Sequence, residues 1–144
     1  MLFIRILFFG FSLIFSTQIN ASSLLNELYI NPIHQNRPIA IIFNNSLNPC
    51  QNCNKAIYII YQILKKNYYN QIHLYLIDLA KHPEFIPVFN LQGPLNLVII
   101  RISDKASFGY QKLSGLQSKI YDINSLTNQI EYIFAIFLNI RPQN

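Results

Sequence analysis

Apolar positions fall into blocks along this chain, and their period changes from block to block. Residues 39–43, IAIIF, form a short unbroken apolar run, the pattern of a strand covered on both faces. From Cys50 to about Asn67 the period lengthens. Ala56, Ile59, Ile60, Ile63 and Leu64 share one face of a helix, and Asn54, Lys55, Gln62, Lys65 and Lys66 lie largely off it. Asn48 is a suitable N-cap for that helix and Pro49 fits its first position, where a missing N–H costs nothing. The segment QIHLYLIDL (71–79) predicts a strand with Ile72, Leu74 and Leu76 on one side, and HPEFIPVFN (82–90) a short helix opened by Pro83. LNLVIIRI (95–102) predicts a third strand, and after SDKAS the run FGYQKL (108–113) predicts a fourth. Ser114-Gly115 interrupts the pattern. A last helix is expected from about Ser125, capped by Asn124, to Leu138, burying Leu126, Ile130, Ile133 and Phe137.

The beginning of the chain follows another logic. MLFIR carries one positive charge, ILFFGFSLIFS is apolar over the length of a secretory core, and Ala21 is a small residue at a suitable cut. Residues 1–21 therefore predict a signal peptide and export to the periplasm or another extracytoplasmic space. Were it uncleaved, the same run would anchor the protein. No integral membrane span is expected after it. Residues 22–144 are then one domain, opening with a helix at 22–31 on which Leu24, Leu25 and Leu28 recur at helical spacing. A strand–helix–strand half followed by strand–strand–helix implies an α/β fold with a central mixed sheet flanked by helices.

Composition narrows the function only a little. Of 144 residues, 11 are Lys or Arg and 6 are Asp or Glu, and hydrophobic residues make up 51%, enough for a real core. No basic stripe interleaved with aromatics accompanies the charge of +5, so nucleic acid is not an expected partner.

The chemistry concentrates in NPCQNCNKA (48–56), which holds both cysteines as Cys50-x-x-Cys53. Three uses fit a pair at that spacing. A structural staple gains little, because a loop this small loses little entropy on closure. Zinc needs four ligands, and His34, His73 and His82 show no paired spacing, so no metal is expected. A redox pair fits best, since the helix start stabilises a thiolate. In that reading Cys50 is the nucleophile in the first turn and Cys53, one turn further in, is the resolving thiol. No cofactor is called for.

The segment from Ile39 to Leu138 resembles the thioredoxin fold. HPEFIPVFNLQGPLNLVII is similar to the family's stretch in which a short proline-containing helix runs into a glycine, a cis-proline and a buried strand, with Pro83, Pro87, Phe89 and Gly93 in register. KLSGLQSK is similar to the turn between the family's last strand and last helix. The resemblance implies a three-layer α/β domain whose leading strand is replaced here by the helix at 22–31. It also implies that Pro94 is the cis-proline and, with Gly93 and Pro49, presents backbone to substrate. Counted from Pro83, Pro87 and Gly93 instead, Leu95 takes that place. Two departures stand out: the chain has no Trp, and Asn44 or Ile42 occupies the position where many thioredoxins bury an acid.

Two functions compete on these residues. One is an exported thiol–disulfide oxidoreductase acting on cysteine-containing protein substrates, which as a reductase would call for a membrane redox partner. The other is a redox-inert binding module of an envelope complex, with a structural Cys50–Cys53 disulfide.

Overall fold

The apolar run at the start of the domain becomes the middle of a sheet. In the computed structural model, which describes residues 37–102 and 108–143, β1 (Ile39–Asn44) lies between β2 (His73–Asp78) and β3 (Leu95–Ile102). Strand β4 (Phe108–Ser114) flanks β3, giving the order β2-β1-β3-β4. The signal peptide expected at 1–21, the helix expected at 22–31, His34 and the SDKAS segment lie outside the described residues.

β1 runs parallel to β2, with Ile39 opposite His73 and Asn44 opposite Asp78. It runs antiparallel to β3, with Asn44 opposite Leu95, and β3 pairs antiparallel with β4 from Asn96–Ser114 to Ile102–Phe108. Parallel neighbours cannot be joined by a tight turn. Helix α1 (Cys53–Tyr68) supplies the crossover from β1 to β2.

Side chains alternate across the sheet, which is why IAIIF reads as continuously apolar: both faces are covered. On one face, Ala40, Ile42, Leu95, Leu97 and Ile99 meet Ala56, Ile60 and Leu64 of α1, and Leu126, Ile130 and Phe134 from the end of the chain. On the other, Ile39, Ile41, Phe43, Val98 and Ile100 meet Phe85 and Phe89 of the short helix α2 (Phe85–Phe89). The Phe43 ring stands 5.5 Å from that of Phe85 and 5.8 Å from that of Phe89. The result is a three-layer α/β fold, as expected.

Local chemistry moves several boundaries. α1 begins at Cys53, with Asn52 at the cap, so Asn48 and Pro49 stand in the loop before it and Cys50 precedes its first turn. Asn48 closes a turn of its own, donating its N–H to the Asn45 carbonyl at 3.1 Å. Pro83 likewise belongs to the turn before α2, where its carbonyl accepts from Ile86 N at 3.1 Å. A short helix absent from the sequence reading, α3 (Leu116–Lys119), follows Gly115, whose φ of +68° is a left-handed turn suited to glycine. Helix α4 (Ile123–Ile133) is capped by Asp122 rather than Asn124: the Asp122 carboxylate accepts from Ser125 N at 3.0 Å.

The last turn, Phe134–Leu138, is a π-helix; Phe134 continues the buried i+4 stripe of Leu126 and Ile130, while Ile133 and Phe137 are only half-buried. Leu76 is 57% exposed, on the strand that ends the four-stranded sheet.

Candidate functional site

β1 stops at Asn44, and the chain leaves the sheet through a loop that is held at its base. Asp78, opposite Asn44 on β2, accepts hydrogen bonds from Ser46 N and Ala80 N, each at 3.0 Å, and Leu79 N donates to the Asn44 carbonyl at 2.7 Å. Hydrogen bonds from Ser46, side chain first and then backbone, hold the Asp78 carboxyl below its ordinary value. Leu47 N donates to Asn45 Oδ1 at 3.1 Å and tightens the same loop.

The loop delivers Cys50 to the start of α1, where it is disulfide-bonded to Cys53 across a Cα–Cα distance of 5.2 Å. Cys53 N donates to the Cys50 carbonyl at 3.3 Å, closing the turn that carries both sulfurs. Cys53 is the first helical residue and is buried in the α1-side core, whereas Cys50 is half-buried and packs against that core from outside. Lys65 and Lys66 in the last turn of α1 complement the helix dipole, and the first turn holds no acidic residue to repel a thiolate. A thiolate released at either sulfur therefore lies near the positive end of a sixteen-residue helix.

Pro49 is exposed directly before Cys50. Gly93, exposed at φ +72°, turns the chain into Pro94 and β3. Because Leu95 pairs with Asn44, Gly93 and Pro94 arrive at the same end of the sheet from which the cysteine loop departs, and Leu95 shares the apolar cluster of Cys53. The Gly93–Pro94 bond corrects the expected cis-proline: every peptide bond among the described residues is trans. The left-handed turn at Gly93 already redirects the chain, and trans is the ordinary form of an X–Pro bond. Asn44, not Ile42, is the polar residue under the pair. It ends β1 with its Oδ1 buried and, among the described residues, unpartnered, whereas Ile42 is ordinary core.

Both histidines among the described residues have partners elsewhere. His73 Nδ1 lies 3.4 Å from Arg37 Nη2, and its pKa is lowered by burial first and by the Arg37 charge second. His82 Nδ1 lies 3.2 Å from Glu84 Oε1 beside α2. Among the described residues no three His, Cys, Asp or Glu side chains gather into a metal-binding group.

One contact at the pair has no counterpart in the sequence reading. Asn52, between the cysteines, makes no capping hydrogen bond; its Nδ2 donates instead to Tyr121 Oη at 2.8 Å. The two residues are 69 positions apart, and no local pattern joins them. Only the unpredicted helix α3 brings Tyr121 to this end of α1.

No protein-family model matches the chain. No curated protein sequence matches it either. Solved structures do. A thioredoxin of Plasmodium falciparum superposes with a TM-score of 0.55 at 20% identity, over 85% of this chain and 84% of that one. The Trx4 domain of ERdj5 gives 0.53 at 10% identity, over 77% of this chain and 92% of that one. The germline-specific thioredoxin Deadhead of Drosophila melanogaster gives 0.51 at 17% identity, over 69% and 83%. At these identities the likeness is one of fold, and the fold is thioredoxin-like.

Proposed function

We propose that this protein is an exported thiol–disulfide oxidoreductase that exchanges disulfides with cysteine-containing protein substrates. The observation that carries the reading is the Cys50–Cys53 disulfide at the mouth of α1, with Cys50 the more exposed partner. Export is supported by the charged and apolar composition of residues 1–21. Gly93 and Pro94, which lead into β3 beside the cysteine loop, are the backbone expected to meet a substrate peptide, together with Pro49.

From the disulfide form the exchange runs in two displacements. A substrate thiolate attacks Cys50 Sγ, the Cys50–Cys53 bond breaks, and Cys53 leaves with the electron pair and takes up a proton. A second substrate thiolate then attacks the substrate sulfur of the mixed disulfide and expels Cys50 as a thiolate. The substrate loses two electrons and two protons, and the protein becomes the dithiol. The reverse sequence reduces a substrate, and as a reductase the protein would draw its electrons from a membrane redox partner. Placement at the helix start stabilises the leaving thiolate in either direction.

The experiment is trapping. Cys53→Ser removes the resolving thiol, so Cys50 should accumulate as mixed disulfides with client proteins, separable on non-reducing gels and absent from Cys50→Ser. A folded Cys53→Ser protein that traps nothing would overturn the reading. It would favour the redox-inert binding module, which draws its support from the neutral Asn44 at the buried-acid position and from the absence of Trp.

A further inference from the structure

The loop before Cys50 and the connection from α3 to α4 both carry exposed apolar side chains. Leu47, in the loop three residues before Cys50, is 82% exposed, and Tyr121 and Ile123, in the connection from α3 to α4, are 79% and 47% exposed. Tyr121 differs from an ordinary solvated tyrosine in that its chain neighbours are anchored and its hydroxyl is hydrogen-bonded. Ile120 is buried beside it, and Asp122 N donates to the Lys119 carbonyl at 3.3 Å while Asp122 caps α4. Its hydroxyl is tied at 2.8 Å to Asn52, the residue between the cysteines. The ring thus stands in water, tethered through its hydroxyl to the residue between the cysteines. Because Asn52 Nδ2 is the donor in that bond, the phenol proton remains free to be given to another acceptor.

We propose that Tyr121 is a substrate-specificity residue, which selects extended peptide segments carrying an aromatic or branched apolar side chain next to the reacting cysteine. The apolar side chain packs on the tyrosine ring, and a peptide carbonyl accepts the phenol proton. Asn52 acts as the positioning residue that keeps the ring against the disulfide. A rigid aromatic with a polar tip suits this task, since it loses little conformational freedom when covered. The proposal rests on the oxidoreductase reading and names its substrate class.

The test uses the full-length chain in its disulfide form and three reductants: dithiothreitol, a short peptide dithiol with Phe beside one cysteine, and the same peptide with Ser in place of Phe. The quantity read is the ratio of second-order rate constants for the Phe and Ser peptides. A ratio of about tenfold is expected for the natural protein, the scale of one aromatic contact. In Tyr121→Ala it should fall to about twofold or less, and in Tyr121→Phe, which keeps the ring, most of it should remain. Asn52→Ala should lower the ratio part of the way. Truncating so exposed a side chain leaves no core cavity, and circular dichroism on each variant verifies the fold. A ratio near one in the natural protein, or a ratio that survives Tyr121→Ala, overturns the proposal while leaving the oxidoreductase reading intact. Failure of dithiothreitol itself to reduce the natural protein overturns both.

Discussion

The two ends of α1 are built for opposite purposes. At its C-terminal end Tyr68 is fully buried and its ring lies 4.1 Å from that of Phe134, centroid to centroid. The final strand of chain also ties itself there, through Gln143 N to the Asn67 carbonyl at 2.7 Å and Gln71 Nε2 to the Arg141 carbonyl at 3.0 Å. At its N-terminal end the helix starts on a disulfide, its cap residue spends its side chain on a distant tyrosine, and the neighbouring apolar groups face water. The same helix is thus clamped where nothing reacts and open where sulfur does. A thiolate generated at the open end gains from the dipole of a helix anchored at its far end.

Substitutions at the two ends should therefore separate activity from stability. The largest effect belongs to the open end. Cys50→Ser should abolish disulfide exchange in a glutathione-coupled assay while lowering unfolding free energy by only about 2 kcal/mol, the loop-entropy value for so short a closure. Next comes the clamp. Phe134→Ala removes a fully buried ring and should cost about 3–5 kcal/mol in urea unfolding, with exchange rate per folded molecule unchanged.

A subtler change at the clamp has the opposite sign. Among the described residues the Tyr68 hydroxyl is buried without a partner, and burial, with a smaller contribution from Glu131, pushes its pKa from 10.0 up to about 12. Tyr68→Phe should raise stability by about 1 kcal/mol, as expected when an unsatisfied buried hydroxyl is removed. The raised pKa also gives the natural protein a pH signature. The phenol ionises near pH 10.0 in the unfolded chain but stays neutral in the fold, so stability is fully present below pH 10.0 and is lost as pH rises towards about 12. The Phe variant should lose this limb of the unfolding curve.

The smallest effect lies at the base of the cysteine loop. Asp78 has a lowered pKa, so its contribution is present above the ordinary value of 3.8 and fades as pH falls through its folded value. Asp78→Asn should loosen residues 45–49, read as faster amide exchange at Ser46 and Ala80, with little change in global unfolding.

The same contrast explains what could be read from the sequence. The clamped parts were legible because burial dictates composition: IAIIF and LNLVIIRI could be little else than central strands, and Ala56, Ile60 and Leu64 mark the buried face of α1. The open end was legible only in its cysteines. Asn48-Pro49 looks like a helix start, yet Asn48 closes a separate turn, and the helix waits until Cys53. The cis-proline came from resemblance, and a glycine turn with a trans Pro94 stands in its place. Tyr121 reaches Asn52 across 69 residues, through a helix of four residues too short to announce itself by periodicity.

The central claim is that the disulfide at the open end of α1 is a working redox couple. The most direct measurement is the equilibrium of the Cys50–Cys53 disulfide in the full-length chain against graded glutathione redox buffers, followed by thiol alkylation. The account predicts reversible reduction with a midpoint within the roughly −120 to −270 mV spanned by known oxidants, isomerases and reductases. A pair that stays oxidised to potentials below about −300 mV would behave as a structural staple and contradict it.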